Sequence, residues 1–374
     1  MDIKKDIKIC HLTSAHPPYD IRIFHKECVS LAEYGYNVSL VCAGAENEIK
    51  NGVHILGVKK NNSRFGRMFI TVWRIYKKAL ELDAKLYHFH DPELMLVGLL
   101  LKQKGKKVIY DVHEDLPRQI LGKYWINKYL RKAISFLIEN IENNVSRRLD
   151  YIIVATPFIR KRFLELNNKC VDICNYPITK DEGFSSINWK NKKNELCYIG
   201  LITKSRGIIE ILKAIEDTPY RLNLAGKYSP ESLRNELAEM RGWTNVNEFN
   251  YVDREKIMEI LSNSKAGMVT LHPQINYLDS LPIKMYEYML AGIPVIASDF
   301  PLWKGIIEGN NCGICVNPNN PTAIRGAIDK IFQEEEMATL MGKSGREIVL
   351  KEYNWENQII NLISIYQNIL KKEY

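Results

Sequence analysis

Short apolar stretches alternate along this chain with longer segments whose apolar residues recur at helical spacing. The first three segments predict a strand at Ile7–Thr13, a helix at Ile21–Tyr34 and a strand at Asn37–Cys42. The alternation continues with predicted strands at Val53–Leu56, Leu86–His88, Lys107–Asp111, Tyr151–Val154 and Val171–Cys174, and with predicted helices near Arg67–Leu82, from Pro92, near Lys128–Arg148 and from Pro157. This alternation predicts a parallel sheet covered by helices on both faces.

A segment rich in turn-forming residues, Asn175–Ser186, then interrupts the pattern. The alternation restarts at Glu195–Ile199, and a final helix is predicted at Trp355–Lys372. The strands predicted between them, each followed by a helix, are Arg221–Ala225, Asn245–Phe249, Ala266–Leu271, Pro294–Ala297 and Gly313–Val316. We therefore predict an α/β protein with two Rossmann-like doubly wound domains, 1–178 and 179–354, and a ligand cleft at the carboxyl ends of their strands.

The composition is that of an ordinary globular protein. Of the 374 residues, 46% are hydrophobic and 26% are charged, which excludes collagen, coiled coil and wholesale disorder. The longest apolar run near the middle, Leu94–Leu101, is too short to span a bilayer, and the first residues lack the apolar core of a signal peptide. Eight cysteines without paired spacing predict reduced thiols, with Cys312 and Cys315 buried as small apolar residues. We expect a cytoplasmic protein.

The positive charge is concentrated in the first half of the chain. Residues 1–180 contain 30 Lys and Arg against 19 Asp and Glu, whereas residues 181–374 contain 22 against 25. A basic half predicts an anionic partner, either a lipid surface or nucleic acid. Because the chain lacks zinc fingers and the aromatic signatures of RNA-binding modules, we favour a membrane surface and expect no nucleic-acid partner.

The predicted helix near Lys128–Arg148 has two interpretations, which the sequence leaves open. Its apolar residues form a single stripe, as expected for a core helix with a solvated basic end. Alternatively, aromatic and basic residues near its start form an interfacial patch on an anionic membrane. The residues concerned are Lys123, Tyr124, Trp125, Lys128, Tyr129, Arg131 and Lys132. The same alternatives hold for Arg64–Phe69 and Trp73–Lys78.

The strongest chemical motif is the segment Asp279–Asp299. Pro282 is suited to the first turn of a helix and Gly292 to its end, and a buried strand follows. Asp279 and Glu287 are eight positions apart, and carboxylates placed before and within one helix can accept hydrogen bonds from vicinal hydroxyls of a ribose or hexose. Lys284 would add a positive charge for a phosphate.

This segment resembles the nucleotide-sugar site of retaining glycosyltransferases with the two-domain GT-B fold, family four of their classification. Their motif has Glu, seven residues and a second Glu, then a small apolar helix and Gly-x-Pro-Val-Ile. The chain departs from it with Asp279 at the first acid and Leu281–Lys284 where Phe-Gly-Leu is common. The resemblance spans nearly the whole chain. It implies an acceptor-binding domain 1–178, a nucleotide-sugar-binding domain 179–354, and a helix at 355–374 that packs back on the first domain.

A second segment, Tyr198–Gly207, carries the resemblance further. The family has two basic residues there that hold the donor diphosphate; Arg206 matches the second, Leu201 replaces the first, and Lys204 or Lys284 is a candidate to compensate. The donor-binding residues that the resemblance implies are Gly200, Lys204, Arg206, Gly226, Tyr251, Val252, Asp279, Ser280, Leu281, Lys284 and Glu287. For Tyr251 and Val252 the alternative to contact with the base is packing in a cleft wall.

In the first half, His113 follows a predicted strand and matches a family histidine that meets the donor sugar near the reacting carbon. The predicted catalytic residues are His113, Arg206, Lys284 and Glu287. The residues predicted on the acceptor side are Asp20, Arg22, His25, His90 and Asp91. Of these, Asp20, Arg22 and His25 are expected to contact acceptor or donor phosphate. No metal site is predicted, because the His90 and Asp91 grouping lacks a third spaced ligand.

The resemblance implies retaining transfer of a hexosyl-type sugar from a nucleoside diphosphate sugar to a lipid-linked or polysaccharide acceptor, with a role in cell-surface polysaccharide biosynthesis. No cofactor is expected, and a metal is not implied because no Asp-x-Asp motif is present. The expected location is the cytoplasm, peripheral at the inner face of the plasma membrane. Two alternatives stay open: a sugar-nucleotide epimerase on the same scaffold and a non-catalytic nucleotide-sugar-binding protein.

Overall fold

A computed structural model describes residues 7–123, 125–180, 189 and 192–371 of the chain. These residues form two compact units, one comprising Met1–Asn175 with Trp355–Tyr374 and the other Tyr176–Asn354. The division at Asn175 and Tyr176 falls inside the turn-rich segment that the sequence marks as a linker. Residues 181–186 of that segment, Tyr124, the side chain of Arg64 and the predicted helix end at Lys372 lie outside the described part.

The first unit is built on an eight-stranded sheet with the order β3-β4-β2-β1-β5-β6-β7-β8, in which only β3 runs antiparallel to its neighbour. Its strands are β1 Lys8–Thr13, β2 Asn37–Ala43, β3 Glu48–Lys50, β4 Val53–Val58, β5 Leu86–Phe89, β6 Lys107–Val112, β7 Tyr151–Val154 and β8 Cys170–Asp172. Its α-helices in this part of the chain are α1 Val29–Glu33, α2 Arg64–Gly66, α3 Val72–Leu82, α4 Met95–Gln103, α5 Leu116–Leu121, α6 Lys128–Ser146 and α7 Pro157–Leu164. Two π-helices, Ile21–Cys28 and Arg67–Thr71, and a 3-10 turn, Pro92–Leu94, complete it.

The second unit is built on a six-stranded, fully parallel sheet with the order β11-β10-β9-β12-β13-β14. Its strands are β9 Glu195–Ile199, β10 Arg221–Ala225, β11 Val246–Phe249, β12 Ala266–Val269, β13 Val295–Ser298 and β14 Gly313–Val316. Its α-helices are α8 Ile208–Ile215, α9 Leu233–Ala238, α10 Arg254–Asn263, α11 Ile283–Leu290, α12 Pro301–Ile307, α13 Pro321–Gln333 and α14 Glu335–Lys351. Two 3-10 turns, Lys204–Arg206 and Arg241–Asn245, lie between them.

Both sheets have the doubly wound strand order, which confirms the predicted fold class. In such sheets the order reverses at one point, and ligands bind beyond the carboxyl ends of the two strands that flank it. That point lies between β1 and β5 in the first unit and between β9 and β12 in the second. The loops that follow these four strands are therefore where a site is expected in each unit.

The last helix, α15 (Trp355–Leu370), belongs to the first unit. The Trp355 indole N–H donates to the Ser30 hydroxyl at 3.0 Å, and Leu362 and Tyr366 are fully buried. This helix packs on the first unit although the whole second unit separates it from that unit in sequence. None of the described helices is long and apolar enough to cross a membrane.

The apolar stripe of α6 is largely on the surface. Of its six residues, only Val145 is buried. Leu130, Leu137 and Ile141 are exposed, and Ile134 and Ile138 are partly exposed. The buried face instead carries polar side chains, among them Glu142, which accepts hydrogen bonds from the Tyr110 hydroxyl and from Arg162. The interpretation of this stripe as a core face is therefore wrong for most of its length.

Candidate donor and acceptor sites

Two glycines bring the ends of β9 and β10 into backbone contact. Gly200 and Gly226 follow these strands with φ of +122° and +149°, in the region that favours glycine. A Cβ atom on Gly226 would lie 1.8 Å from the Gly200 carbonyl oxygen, and the Gly200 N–H donates to the Ala225 carbonyl at 2.9 Å. Side chains are thus excluded where the two strand ends meet.

Arg206 lies in the loop after β9, at the point where the strand order of the second sheet reverses. The 3-10 turn Lys204–Arg206 leads into α8 through Gly207, which has a φ of +77°. A Cβ atom on Gly207 would lie 2.0 Å from the carbonyl oxygen of Thr270, the residue after β12. This close approach holds the turn, and with it Arg206, against the end of β12.

Lys284 lies in the first turn of α11, and its side chain is buried without a counterion. Its Nζ is 3.6 Å from the ring centroid of Tyr198, at the end of β9, and only 6% of the residue is exposed. Burial, and then the positive charge of Arg206, hold the pKa of Lys284 well below its ordinary value. Among the residues that the structure describes, neither Lys284 Nζ nor Arg206 Nε has a hydrogen-bond partner. Two neighbouring cations with unused donors form a site suited to an anion.

The acidic residues of the motif lie on the same helix and its leading loop. Pro282 occupies the N-cap position of α11, and Gly292, with a φ of +63°, follows its end, as the sequence predicts. Glu287 is partly buried and forms an ion pair with Arg254 at 3.4 Å. Three residues of the loop before α11 are also partly buried: Asp279, Ser280 and Leu281.

The loop before α11 is fixed by its own hydrogen bonds. The Ser280 hydroxyl donates to the Tyr277 carbonyl at 2.9 Å, and the Trp303 indole N–H donates to the Ser280 carbonyl at 2.7 Å. These bonds hold the loop at the start of α11, next to Lys284 in sequence.

Two predicted donor residues lie on the surface of the second unit. Lys204 forms an ion pair with Glu236, and both side chains are about half exposed. It therefore does not share the environment of Arg206, and Lys284 is the better candidate for the missing basic residue. Tyr251 is 79% exposed, with Lys227 Nζ 5.2 Å from its ring centroid. For Tyr251 and Val252, contact with the base and packing in a cleft wall both stay predictions.

In the first unit, Asp91 joins the loops after β1 and β5. Its carboxylate accepts hydrogen bonds from the Thr13 hydroxyl at 2.8 Å and from the Ser14 N–H at 2.6 Å. His16 lies with Nε2 3.5 Å from Asp91 and Nδ1 3.3 Å from Asp20. The two loops that flank the reversal of strand order are thus held together around one buried carboxylate.

Asp20 caps the π-helix Ile21–Cys28. Its carboxylate accepts from the backbone N–H groups of Arg22 and Ile23 at 2.9 and 3.0 Å. Burial acts to raise the pKa of Asp20, but the hydrogen bonds from His16 and Ile23 outweigh it and lower that pKa. His25, on the same helix, is exposed with its ring 5.1 Å from that of Phe24.

Arg22 points into the protein, contrary to the expectation that it contacts a phosphate. Its Nε and Nη2 donate to the two carboxylate oxygens of Asp111, both at 2.9 Å, and its Nη1 donates to the Ile173 carbonyl at 2.7 Å. Only 4% of the residue is exposed. The guanidinium fork is therefore occupied by Asp111, and Arg22 holds that carboxylate in place.

His113, after β6, lies beside Asp111 and His90. Its Nε2 is 3.1 Å from Asp111 Oδ2 and 3.2 Å from His90 Nδ1, and its side chain is 17% exposed. The structure thus brings together three of the residues that the sequence assigns to catalysis and to the acceptor side. His113 follows β6, and His90 and Asp91 follow the neighbouring strand β5.

Sequence reasoning missed a buried cluster next to this site. Four residues have side-chain nitrogen and oxygen atoms within 4.8 Å of one another: His11 of β1, Glu27 of the π-helix, His88 of β5 and His90, which follows β5. His11 and Glu27 lie more than 60 positions from His90, so spacing along the sequence gives no signal of them, whereas His88 is two positions away. That no metal ion binds here stays a prediction. In the structure, most of these imidazole nitrogens are hydrogen-bonded to neighbouring side chains.

Comparison with known proteins gives relatives of low identity that cover most of the chain. An uncharacterised glycosyltransferase of Methanocaldococcus jannaschii is 21% identical over 83% of this chain and 80% of its own length. The D-rhamnosyltransferase WbpZ of Pseudomonas aeruginosa is 22% identical over 74% of this chain and 71% of its own length.

Solved structures show the same fold. Sucrose-phosphate synthase of Thermosynechococcus elongatus matches with a TM-score of 0.76 and 16% identity, over 98% of this chain and 100% of that chain. Anabaena HepE in complex with UDP-glucose matches with a TM-score of 0.69 and 12% identity, over 98% and 99%. These neighbours are glycosyltransferases of the GT-B fold.

Two family models divide the chain between them. The model described as Glycosyltransferase Family 4 matches residues 23–175, and the model described as Glycosyl transferases group 1 matches residues 179–348. Together they account for most of the two units, and the second covers Arg206, Lys284 and Glu287. The chain therefore belongs to the group 1 glycosyltransferases, family 4.

Proposed function

We propose that this glycosyltransferase moves a hexosyl-type sugar from a nucleoside diphosphate sugar to a lipid-linked or polysaccharide acceptor, with retention of anomeric configuration. We place it in cell-surface polysaccharide biosynthesis, and we propose that it uses neither a metal ion nor another cofactor. The WbpZ relative is named as a rhamnosyltransferase and the HepE neighbour was solved with UDP-glucose, which supports a nucleotide-sugar donor.

The observation that carries this proposal is the pair of cations Arg206 and Lys284. A buried ammonium without a partner costs several kcal/mol unless something supplies the opposite charge. A diphosphate supplies it, since its oxygens accept from an arginine fork and from a lysine ammonium. The same contacts strengthen as the leaving group gains charge, so they stabilise the transition state more than the bound donor.

The remaining site residues take the roles that the family resemblance implies. Glu287, oriented by Arg254, accepts hydrogen bonds from sugar hydroxyls of the donor, and Asp279 contributes a second carboxylate from the loop before α11. His113 contacts the donor sugar near the reacting carbon. The C–O bond to the diphosphate breaks as the acceptor oxygen attacks from the same face, and a donor phosphate oxygen takes the acceptor proton. Retention then requires no protein nucleophile.

We also propose that the first unit binds an anionic membrane at the cytoplasmic face. Side chains that a core would bury are exposed on α6 and on the helices around α3, and basic residues flank them. The exposed apolar residues in and just before α6 are Trp125, Tyr129, Leu130, Phe136 and Leu137, and those in and just before α3 are Phe65, Phe69 and Trp73. Lysines that reach lipid phosphates beside aromatics at headgroup depth are typical of interfacial helices.

The test is nucleotide release from a panel of UDP-, GDP-, ADP- and dTDP-sugars, with and without a membrane lipid extract as the acceptor source. We expect one donor to be hydrolysed or transferred far faster when the extract is present. Conversion of the donor without any extract would indicate the epimerase alternative, and donor binding without turnover would indicate a non-catalytic binder.

Two variants link that activity to the cation pair. Arg206→Ala should weaken binding of the matching nucleoside diphosphate about 10- to 100-fold, as expected for loss of charged hydrogen bonds. Lys204→Ala is the matched control, because Lys204 is a cation of the same turn that pairs with Glu236 on the surface. Equal losses in both variants, measured by calorimetry, would contradict the assignment.

A further inference from the structure

Three histidines and a tyrosine are buried together in the first unit, outside the residues that the proposed function uses directly. His11 lies on β1, His88 on β5 and His90 directly after β5, and Tyr366 comes from α15. His11 and His88 are register partners across the two strands. All four side chains are almost completely inaccessible to solvent.

Their polar atoms form one continuous chain that ends at Asp111. His88 Nδ1 is 2.7 Å from the Tyr366 hydroxyl, which is 3.1 Å from His11 Nε2. His11 Nδ1 is 2.9 Å from His90 Nε2, and His90 Nδ1 is 3.2 Å from Asp111 Oδ2. Asp111 Oδ2 is also the atom next to His113 Nε2.

The ring geometry fits hydrogen bonds between these atoms. The planes of His11 and His90 are 20° apart and their centroids are 5.2 Å apart. Because the bonded nitrogens are 2.9 Å apart, they lie between the two rings and point toward each other. A metal ion bound by both nitrogens would require the rings to turn away from this arrangement.

Protonation of the chain follows from burial. Burial lowers the pKa of His11 and His88 well below the ordinary value, and lowers that of His90 to about 4. All three rings are therefore neutral near pH 7, with one N–H each. Burial and the neighbouring Asp111 raise the pKa of Glu27. Among the described residues, neither Glu27 carboxyl oxygen has a hydrogen-bond partner, so the three rings do not bond to it.

Asp111 then fixes the direction of every bond. It is held ionised by Arg22 and can only accept, so His90 carries its proton on Nδ1 and accepts on Nε2. His11 must donate from Nδ1, the Tyr366 hydroxyl must donate to His11 Nε2, and His88 must donate from Nδ1. His88 Nε2 is left as a lone pair, and within the described ranges it has no hydrogen-bond partner.

We propose that Asp111 and His90 are positioning residues that hold His113 in one tautomer, and that His11 and Tyr366 in turn hold the His90 ring in place. Because His90 Nδ1 already carries a proton, His113 Nε2–H donates to Asp111 alone, and His113 Nδ1 is the acceptor that remains for a sugar hydroxyl. The inference that a sugar hydroxyl binds there rests on the proposed function. The tautomers do not depend on it, because they are a property of the protein without substrate.

The first test is nitrogen NMR of the histidine rings in the ligand-free protein at pH 7.5. We expect protonated Nδ1 in His11, His88 and His90 and protonated Nε2 in His113. A protonated Nε2 on His90, a protonated Nδ1 on His113, or a metal ion bound by these rings would overturn the proposal. This measurement needs no variant and no turnover, so it is independent of the proposed function.

Tyr366→Phe removes the hydroxyl shared by His88 and His11. We expect His11, which loses the donor to its Nε2, to become a mixture of tautomers, and the His90 and His113 resonances to shift as their rings lose support. We expect kcat for sugar transfer to fall about tenfold, the factor that one neutral hydrogen bond is worth, with the donor KM nearly unchanged. The matched control is Tyr34→Phe. The Tyr34 hydroxyl accepts a hydrogen bond from Gln367 of the same helix but is not one of the hydrogen-bonded groups between His88 and Asp111. Unchanged His113 resonances in a folded Tyr366→Phe protein, or equal losses of kcat in both variants, would refute the coupling.

Discussion

Two buried basic side chains of this protein have different surroundings, and the difference indicates which of them has a structural role and which could bind a ligand. Arg22 is buried against Asp111, which accepts two of its hydrogen bonds. Lys284 is buried beside Arg206 with no counterion in the described part of the chain. The sequence assigned both to phosphate, because it cannot reveal a partner that lies 89 positions away. Lys284 is the one whose charged form an anionic ligand would stabilise.

Glu287→Ala tests the sugar-binding role of the motif's second acid. The change removes a carboxylate that accepts from donor hydroxyls, so the transfer rate should fall about 100-fold, while the circular dichroism spectrum stays that of the parent. Glu236→Ala, which removes an exposed ion-paired carboxylate, is the control. Full activity of the Glu287 variant would remove this role.

The buried histidines also predict how stability depends on pH. Unfolded histidines take up protons below about pH 6.5, whereas His90 in the folded protein does so only near 4 and His11 and His88 also resist protonation. The unfolded state thus binds more protons, and the free energy of unfolding should fall between pH 6.5 and 5, by up to about 1.4 kcal/mol per pH unit for each excess proton.

Three groups oppose this trend. The raised pKa of His16 gives stability that is lost as pH rises, and the raised pKa values of Glu27 and Glu142 act in the same direction. Urea midpoints followed by tryptophan fluorescence measure the sum. A midpoint that is constant or increases from pH 6.5 to 5 would contradict the neutral state of the histidine cluster.

At the level of elements, periodicity predicted most helices and strands but not which way each helix faces. The helix after Pro282 and the strand after Gly292 appear where the sequence puts them, because proline and glycine act locally. The apolar stripe of α6 is equally regular, yet tertiary contacts turn its polar side inward, where Glu142 binds Tyr110 and Arg162. Only the fold decides which face is covered.

The exposed face of α6 gives a direct test of membrane binding. Reversal of charge at Lys128, Arg131 and Lys132 should reduce sedimentation with vesicles containing 30 mol% anionic lipid about 100-fold or more, since each basic residue near such a surface contributes about 1 kcal/mol. Reversal at the exposed lysines Lys104, Lys343 and Lys351 is the control. Equal sedimentation of the two triple variants would count against an interfacial α6.

On the scale of the whole molecule, the two doubly wound sheets and their boundary were accessible from alternation alone. The cluster around His11 and Tyr366 could not be predicted from the sequence. Its members come from β1, β5, a π-helix and α15, which lie far apart along the sequence. Family resemblance located Arg206 and His113, whereas the partners of His113 emerge only once the strands are placed side by side.

Removal of α15 tests how much the first unit depends on it. A chain ending at Asn354 loses the burial of Trp355, Leu362 and Tyr366 and leaves His11 and His88 without the hydroxyl between them. We expect the first unit to unfold at a temperature at least 10 °C lower, given ~2–5 kcal/mol for each large core side chain. A chain ending at Lys371 is the control, and equal thermal transitions would show that α15 is dispensable.

The return of α15 to the first unit has a consequence for biosynthesis. During translation, β1 to β8 leave the ribosome before the segment that completes them, and the second unit must be made in between. At ordinary elongation rates this interval lasts roughly 10 to 40 s. During this interval the nascent first unit exposes the apolar surface that α15 later covers, and His11 and His88 lack the Tyr366 hydroxyl. We therefore expect the nascent chain to bind chaperones until α15 has been synthesised.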